Sequence, residues 1–126
     1  MFSYSDLLGV KYIKGGRDNK GVDCYGLVQI LHNRMGKNLP EYATPDDKSL
    51  IFQLVNSELN RCVKLDEPEA GCIVLFKFTP FEFHMGTVLP DKQRFIHILE
   101  NRNVAVEKLS SRIWSKLLVG YYRWEV

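Results

Sequence analysis

A cysteine stands where a glycine-rich approach gives way to an apolar helical pattern, and that junction constrains the chain more than any other stretch. The approach is Gly15-Gly16-Arg17-Asp18-Asn19-Lys20-Gly21, and the helix opens in Gly21-Val22-Asp23-Cys24-Tyr25-Gly26-Leu27-Val28. Asp23 is placed to be the N-cap, its carboxylate accepting from the N–H groups of the first turn that have no partner within the helix. Those N–H groups, with the positive end of the helix dipole, favour the thiolate form of Cys24. A thiol so placed is a candidate nucleophile, provided a base reaches it.

The second half of the chain offers the base. Glu82-Phe83-His84-Met85-Gly86-Thr87-Val88-Leu89 reads as a strand with a histidine near its start. Arg94-Phe95-Ile96-His97-Ile98 reads as the next strand with a second one, joined through the turn Pro90-Asp91-Lys92-Gln93. Adjacent antiparallel strands bring side chains of one face within a few ångströms. His84 and His97 are therefore expected side by side, one facing the thiol and the other orienting the first. The same three side chains form a Cys-His-His donor set for zinc, but a helix-start thiol beside strand histidines equally describes a hydrolase, and neither metal nor organic cofactor is expected. His32 lies mid-helix and is read as a surface or partly buried residue. The glycines at 15, 16 and 21 lack the Gly-Lys-Ser/Thr of a phosphate loop.

Helical spacing of Leu27, Ile30, Leu31 and Met35, with Gly36 as a stop, predicts a central helix from Cys24 to Met35. Ser5 to Leu8 suggests a short helix before it. After a loop from Lys37 to Pro45, a second helix is expected from Asp46 or Asp47 to about Leu59. Strands follow near Cys62–Leu65, Ile73–Phe78, His84–Leu89, Phe95–Ile98 and Val104–Glu107. A helical turn near Ser111–Lys116 precedes a last strand, Val119–Trp124. Helices first and a meandering sheet after them predict an α+β fold, with N-terminal helices packed on a mostly antiparallel sheet of about five to six strands. With 126 residues, 45% hydrophobic and 25% charged, the chain is read as one domain with a proper core.

Other classes find little support. A net charge of +2, with no basic run interleaved with aromatics, argues against a nucleic-acid partner. No stretch approaches the ~20 apolar residues that cross a bilayer, so no membrane partner is expected. The N-terminus lacks a basic start followed by an apolar signal core. The expectation is synthesis in the cytoplasm, without a signal peptide. Three cysteines without CxxC spacing do not make a disulfide framework, and Cys62 and Cys72, in strand-like runs, read as buried thiols.

Four segments in order, Asp23-Cys24-Tyr25-Gly26-Leu27-Val28, Gly71-Cys72-Ile73-Val74-Leu75-Phe76, His84-Met85-Gly86 and Phe95-Ile96-His97, resemble the successive motifs of the NlpC-type cell-wall cysteine peptidases. The resemblance runs from about Tyr12 to Trp124. It implies a reduced papain-like fold and a triad with Cys24 as nucleophile, His84 as base and His97 as third residue. Tyr12, in Tyr12-Ile13-Lys14-Gly15-Gly16, matches an aromatic position whose hydroxyl can line the oxyanion site. The implied substrate is the peptide stem of bacterial peptidoglycan, often cut next to D-glutamate and diaminopimelate. Two departures stand out: Tyr25 follows the nucleophile where a small residue is usual, and Gly71-Cys72 replaces a common Gly-Asp. Tyr25 and Leu39-Pro40-Glu41-Tyr42 are similar to phage and prophage members, which suggests tail proteins as partners and a virion-tail location acting at the cell wall.

Arg17 and Asp23 are the candidate substrate-binding residues. A guanidinium can take a stem-peptide carboxylate with two parallel hydrogen bonds; the rival reading is that Arg17 pairs with Asp18 or Asp23. The cleft is expected to be open, with the Lys37–Asp47 loop as a rim. Two other functions stay open: a structural tail component using the fold as a docking module, and a cytoplasmic thiol amidase or acyl hydrolase for small molecules.

Overall fold

The computed structural model describes residues 2–39 and 62–125. A single helical turn, Ser5–Leu7, leads to a small antiparallel ribbon of β1 (Arg17–Asp18) and β2 (Gly21–Val22). Helix α1 (Cys24–Arg34) follows. The remaining elements among the described residues are β3 (Cys62–Leu65), β4 (Ile73–Thr79), β5 (Glu82–Val88), β6 (Arg94–His97), β7 (Ala105–Lys108), α2 (Arg112–Leu117) and β8 (Leu118–Trp124). The α+β class expected from the sequence is what is found. Strands β3 to β8 form one six-stranded sheet in the order β3-β8-β4-β5-β6-β7, every neighbouring pair antiparallel.

Strand β4 explains why the sheet is covered on both faces. Ile73, Val74, Leu75 and Phe76 are all buried, as a continuous apolar run in a central strand requires. Ile73 and Leu75 pack with Met85 against Cys24, Tyr25 and Val28 of α1. Val74 and Phe76 point the other way, into a cluster with Val88, Phe95 and Trp114 of α2. The rest of α1 docks through Leu27 and Leu31 on Leu7, Leu89, Ile96 and Ile98. The helix stops as its sequence predicts: Met35 is the C-cap and Gly36 adopts φ 79°, the left-handed conformation that ends many helices.

Strand ends fall within one or two residues of expectation. The Gly-rich approach, expected as loop, contains the β1–β2 ribbon, whose two-residue strands are too short to show alternation in a sequence. The expected helix from Asp46 or Asp47 to about Leu59, and most of the Lys37–Asp47 rim with Pro40, Glu41 and Tyr42, lie outside the described residues. Among the described residues, no helix is long and apolar enough to cross a membrane.

Candidate active site

The start of α1 is held by a carboxylate that serves three donors. Asp23, extended at φ −98° and ψ −178°, accepts from the Gly26 N–H at 2.7 Å through Oδ1 and from the Gly15 N–H at 3.0 Å through Oδ2. Arg17 Nη1 reaches Oδ1 at 2.6 Å and also donates to the Gly16 carbonyl at 2.9 Å. The loop thus lies directly across the first helical turn. Gly26 permits this approach, because a Cβ there would collide with the Gly16 carbonyl oxygen. Cys24 follows the cap and occupies the first helical position, with its side chain fixed toward the sheet.

On the sheet side, the thiol meets the start of β5. Cys24 Sγ lies 3.5 Å from His84 Nδ1. It also lies 3.3 Å from the Met85 carbonyl oxygen and accepts from the Met85 N–H at 3.4 Å. The backbone of β5 therefore offers the thiol proton an acceptor and the thiolate a donor. The opposite edge of the His84 ring, at Nε2, is 2.8 Å from His97 Nδ1. Thr87 pairs with Ile96, so continuing the register sets Gly86 opposite His97 and makes the two histidines diagonal neighbours. The thiol and His97 thus contact different nitrogens of the His84 ring, an arrangement that suits proton transfer.

Residues 9–123 match the NlpC/P60 family. The chain belongs to that family. It is similar to murein DD-endopeptidase MepS/murein LD-carboxypeptidase of Escherichia coli (strain K12), 29% identical over 117 residues that cover 92% of this chain and 56% of that protein. The chain thus spans about half the length of the curated relatives it matches. An NlpC/P60 family protein from Bacillus cereus shares its fold with a TM-score of 0.70, 20% identity, and coverage of 94% of this chain and 36% of that one. The NlpC/p60 domain of peptidoglycan hydrolase SagA does so with a TM-score of 0.60, 18% identity, and coverage of 92% and 88%. These likenesses identify the arrangement of helices and sheet as the papain-like fold of NlpC/P60 proteins.

Within this NlpC/P60 chain, the other candidate residues take different places. Tyr12 bridges to Val22 two residues ahead of Cys24, and its ring packs against the Leu27–Ile96 cluster. Arg17 is engaged with Asp23 and lies 5.6 Å from the Tyr25 ring centre. Asp23 is buried as the helix cap. Arg17→Ala therefore removes the counter-charge of a buried carboxylate. We expect a loss of about 1–2 kcal/mol in stability with KM for a stem-peptide substrate unchanged. A raised KM at unchanged melting temperature would instead mark Arg17 as a substrate contact.

Sequence reasoning missed the aromatic setting of the two imidazoles. Trp114 of α2 packs on both, with ring centres 5.8 Å from His84 and 4.9 Å from His97, and Phe78 stacks on His84 at 5.4 Å and 18°. The only signal for this was the expected helical turn carrying Trp114, whose docking partner depends on the tertiary fold. Cys24, His84 and His97 are 3%, 4% and 2% exposed, and most of the expected rim of the cleft lies outside the described residues.

That burial has a measurable consequence. Loss of water pushes the His84 imidazole down from 6.5 to about 3, with a further push from neighbouring His97, so the ring stays neutral. His97 is lowered too, chiefly by burial, with Glu107 acting in the opposite sense. His32, read from sequence as surface or partly buried, is 1% exposed and hydrogen-bonds the Val28 carbonyl at 2.9 Å; burial lowers it to about 4. In each case the unfolded chain binds the proton first, so stability falls as pH drops through 6.5 toward 4. Both His32 and His84 contribute to that fall, because each is held neutral by burial. Urea melts from pH 7 to pH 4 should show the fall, and His32→Gln should flatten part of it. PH-independent melts would contradict the burial of both rings.

Proposed function

We propose that the chain is a cysteine peptidase that hydrolyses amide bonds in peptidoglycan stem peptides. The observation that carries this reading is the alignment of Cys24 Sγ, His84 and His97 through contacts of 3.5 and 2.8 Å at a helix start. Family membership and relatives that include a murein endopeptidase and a peptidoglycan hydrolase support the wall as substrate.

In this mechanism His84 Nδ1 takes the thiol proton as Sγ attacks the amide carbonyl carbon. The Met85 N–H steadies the negative sulfur. Electrons driven onto the carbonyl oxygen are held by the Cys24 backbone N–H at the positive end of α1, with the Tyr12 hydroxyl as second donor. His84 then gives its proton to the departing amine, leaving a thioester on Cys24. Water, deprotonated by the same nitrogen, releases the acid and restores the thiol. Throughout, His97 Nδ1 accepts from His84 Nε2–H and keeps the ring in the plane the transfers need.

The proposed bond lies next to D-glutamate and diaminopimelate. The proposed setting is a phage or prophage tail enzyme that opens the wall locally, supported by Tyr25 after the nucleophile and by Leu39-Pro40-Glu41-Tyr42. Mass analysis of muropeptides after incubation with the purified protein tests the activity and reads the bond. Fragments cut within the stem are expected. Hydrolysis of small thioesters or amides with nothing released from sacculi or muropeptides would leave a thiol hydrolase and remove the wall from the account.

A further inference from the structure

We propose that Glu107 is a positioning residue for this hydrolytic pair, acting through His97 to decide which nitrogen of each ring carries a proton. The inference rests on the thiol-hydrolase reading above and adds a fourth group to it. Glu107 stands on β7, diagonal to His97: the register pairs Phe95 with Glu107 and His97 with Ala105. A side chain of glutamate length spans that diagonal. Its Oε2 lies 3.4 Å from His97 Nε2, on the ring edge opposite the one facing His84.

The consequence follows from counting protons. A neutral imidazole has one N–H donor and one bare acceptor nitrogen, and a carboxylate only accepts. His97 Nε2 therefore carries its proton toward Glu107, which leaves His97 Nδ1 bare. A bare Nδ1 requires the proton of His84 to sit on Nε2, across the 2.8 Å contact. His84 Nδ1 is then bare and faces the thiol, as a base must. The reverse arrangement sets a bare His97 Nε2 against the carboxylate and drives the His84 proton onto Nδ1, where it blocks proton uptake from Cys24. One half-exposed carboxylate thus selects the working tautomer of two buried rings. Trp114 and Phe95 pack on His97 but carry no acceptor there.

The test uses three full-length proteins: wild type, Glu107→Ala and Glu107→Gln. The glutamine keeps an accepting oxygen without the charge. Imidazole nitrogen NMR of labelled protein reads the tautomers of His84 and His97 without any substrate, so it reports even if stem peptides prove not to be cleaved. Glu107→Ala should mix the tautomers of both rings and lower kcat about tenfold with KM unchanged. Glu107→Gln should keep the wild-type tautomers and recover most of kcat. Unchanged ring spectra in Glu107→Ala would overturn the proposal, as would an equal loss of kcat in both variants with wild-type tautomers. Melting temperatures should stay level across the set, because the side chain is at the surface; a drop that accounts for the lost activity would assign Glu107 to the fold instead.

Discussion

Cys24→Ala should reduce stem-peptide hydrolysis by at least about 10⁴-fold while leaving the protein folded. The size of the effect follows from what the residue supplies. Without Sγ there is no atom to form the thioester, and the remaining groups only bind and polarise. The mild effect on folding also has a local cause. Cys24 occupies the first position of α1, where the cap is made by Asp23 and not by Cys24 itself. Alanine is the best helix former, and one lost sulfur among Tyr25, Met85 and Val28 should cost about 1 kcal/mol. Comparing hydrolysis rates with melting temperatures separates the two effects. Retained activity would remove Cys24 from the chemistry; loss of both activity and folding would make it a core residue.

The second large effect belongs to the base. His84→Ala should lower kcat by about 10³-fold, within the range for removal of a general base. It also vacates a site walled by Phe76, Phe78 and Trp114 and leaves His97 Nδ1 without its donor. A loss of stability is therefore expected alongside, and His84→Gln, which fills the space, separates folding from chemistry. His97→Asn should cost only about tenfold, because an amide oxygen can accept from His84 Nε2–H as Nδ1 does. Equal losses at 84 and 97 would contradict the division into base and orienter.

The parts of this site that could be read from sequence share one property: they are local. Asp23, Cys24 and Gly26 announce a capped helix within four residues, and the cap is built as those residue types dictate. Strands β4, β5 and β6 were visible because each carries a short apolar run between turn residues. The neighbouring histidines required only that two consecutive strands form a hairpin, which they do. The insertion of the C-terminal strand β8 between β3 and β4 pairs segments more than forty residues apart, for which no local pattern exists. Trp114 and Glu107 join the histidines through docking of α2 and a diagonal on β7, again set by the tertiary fold. Arg17 reads from sequence as a substrate contact or as the partner of Asp18 or Asp23, and the fold sets it against Asp23.

Rapid mixing with a stem peptide, acid quenching within a turnover and peptide mapping address the central claim most directly. The account predicts the acyl half of the substrate, its mass less the departing amine, on Cys24, with Cys62 and Cys72 unmodified. Burial raises the Cys72 thiol to about 11, leaving it protonated and a poor nucleophile at neutral pH. An acyl group on Cys62, Cys72 or any other side chain, with turnover persisting in Cys24→Ala, would contradict it.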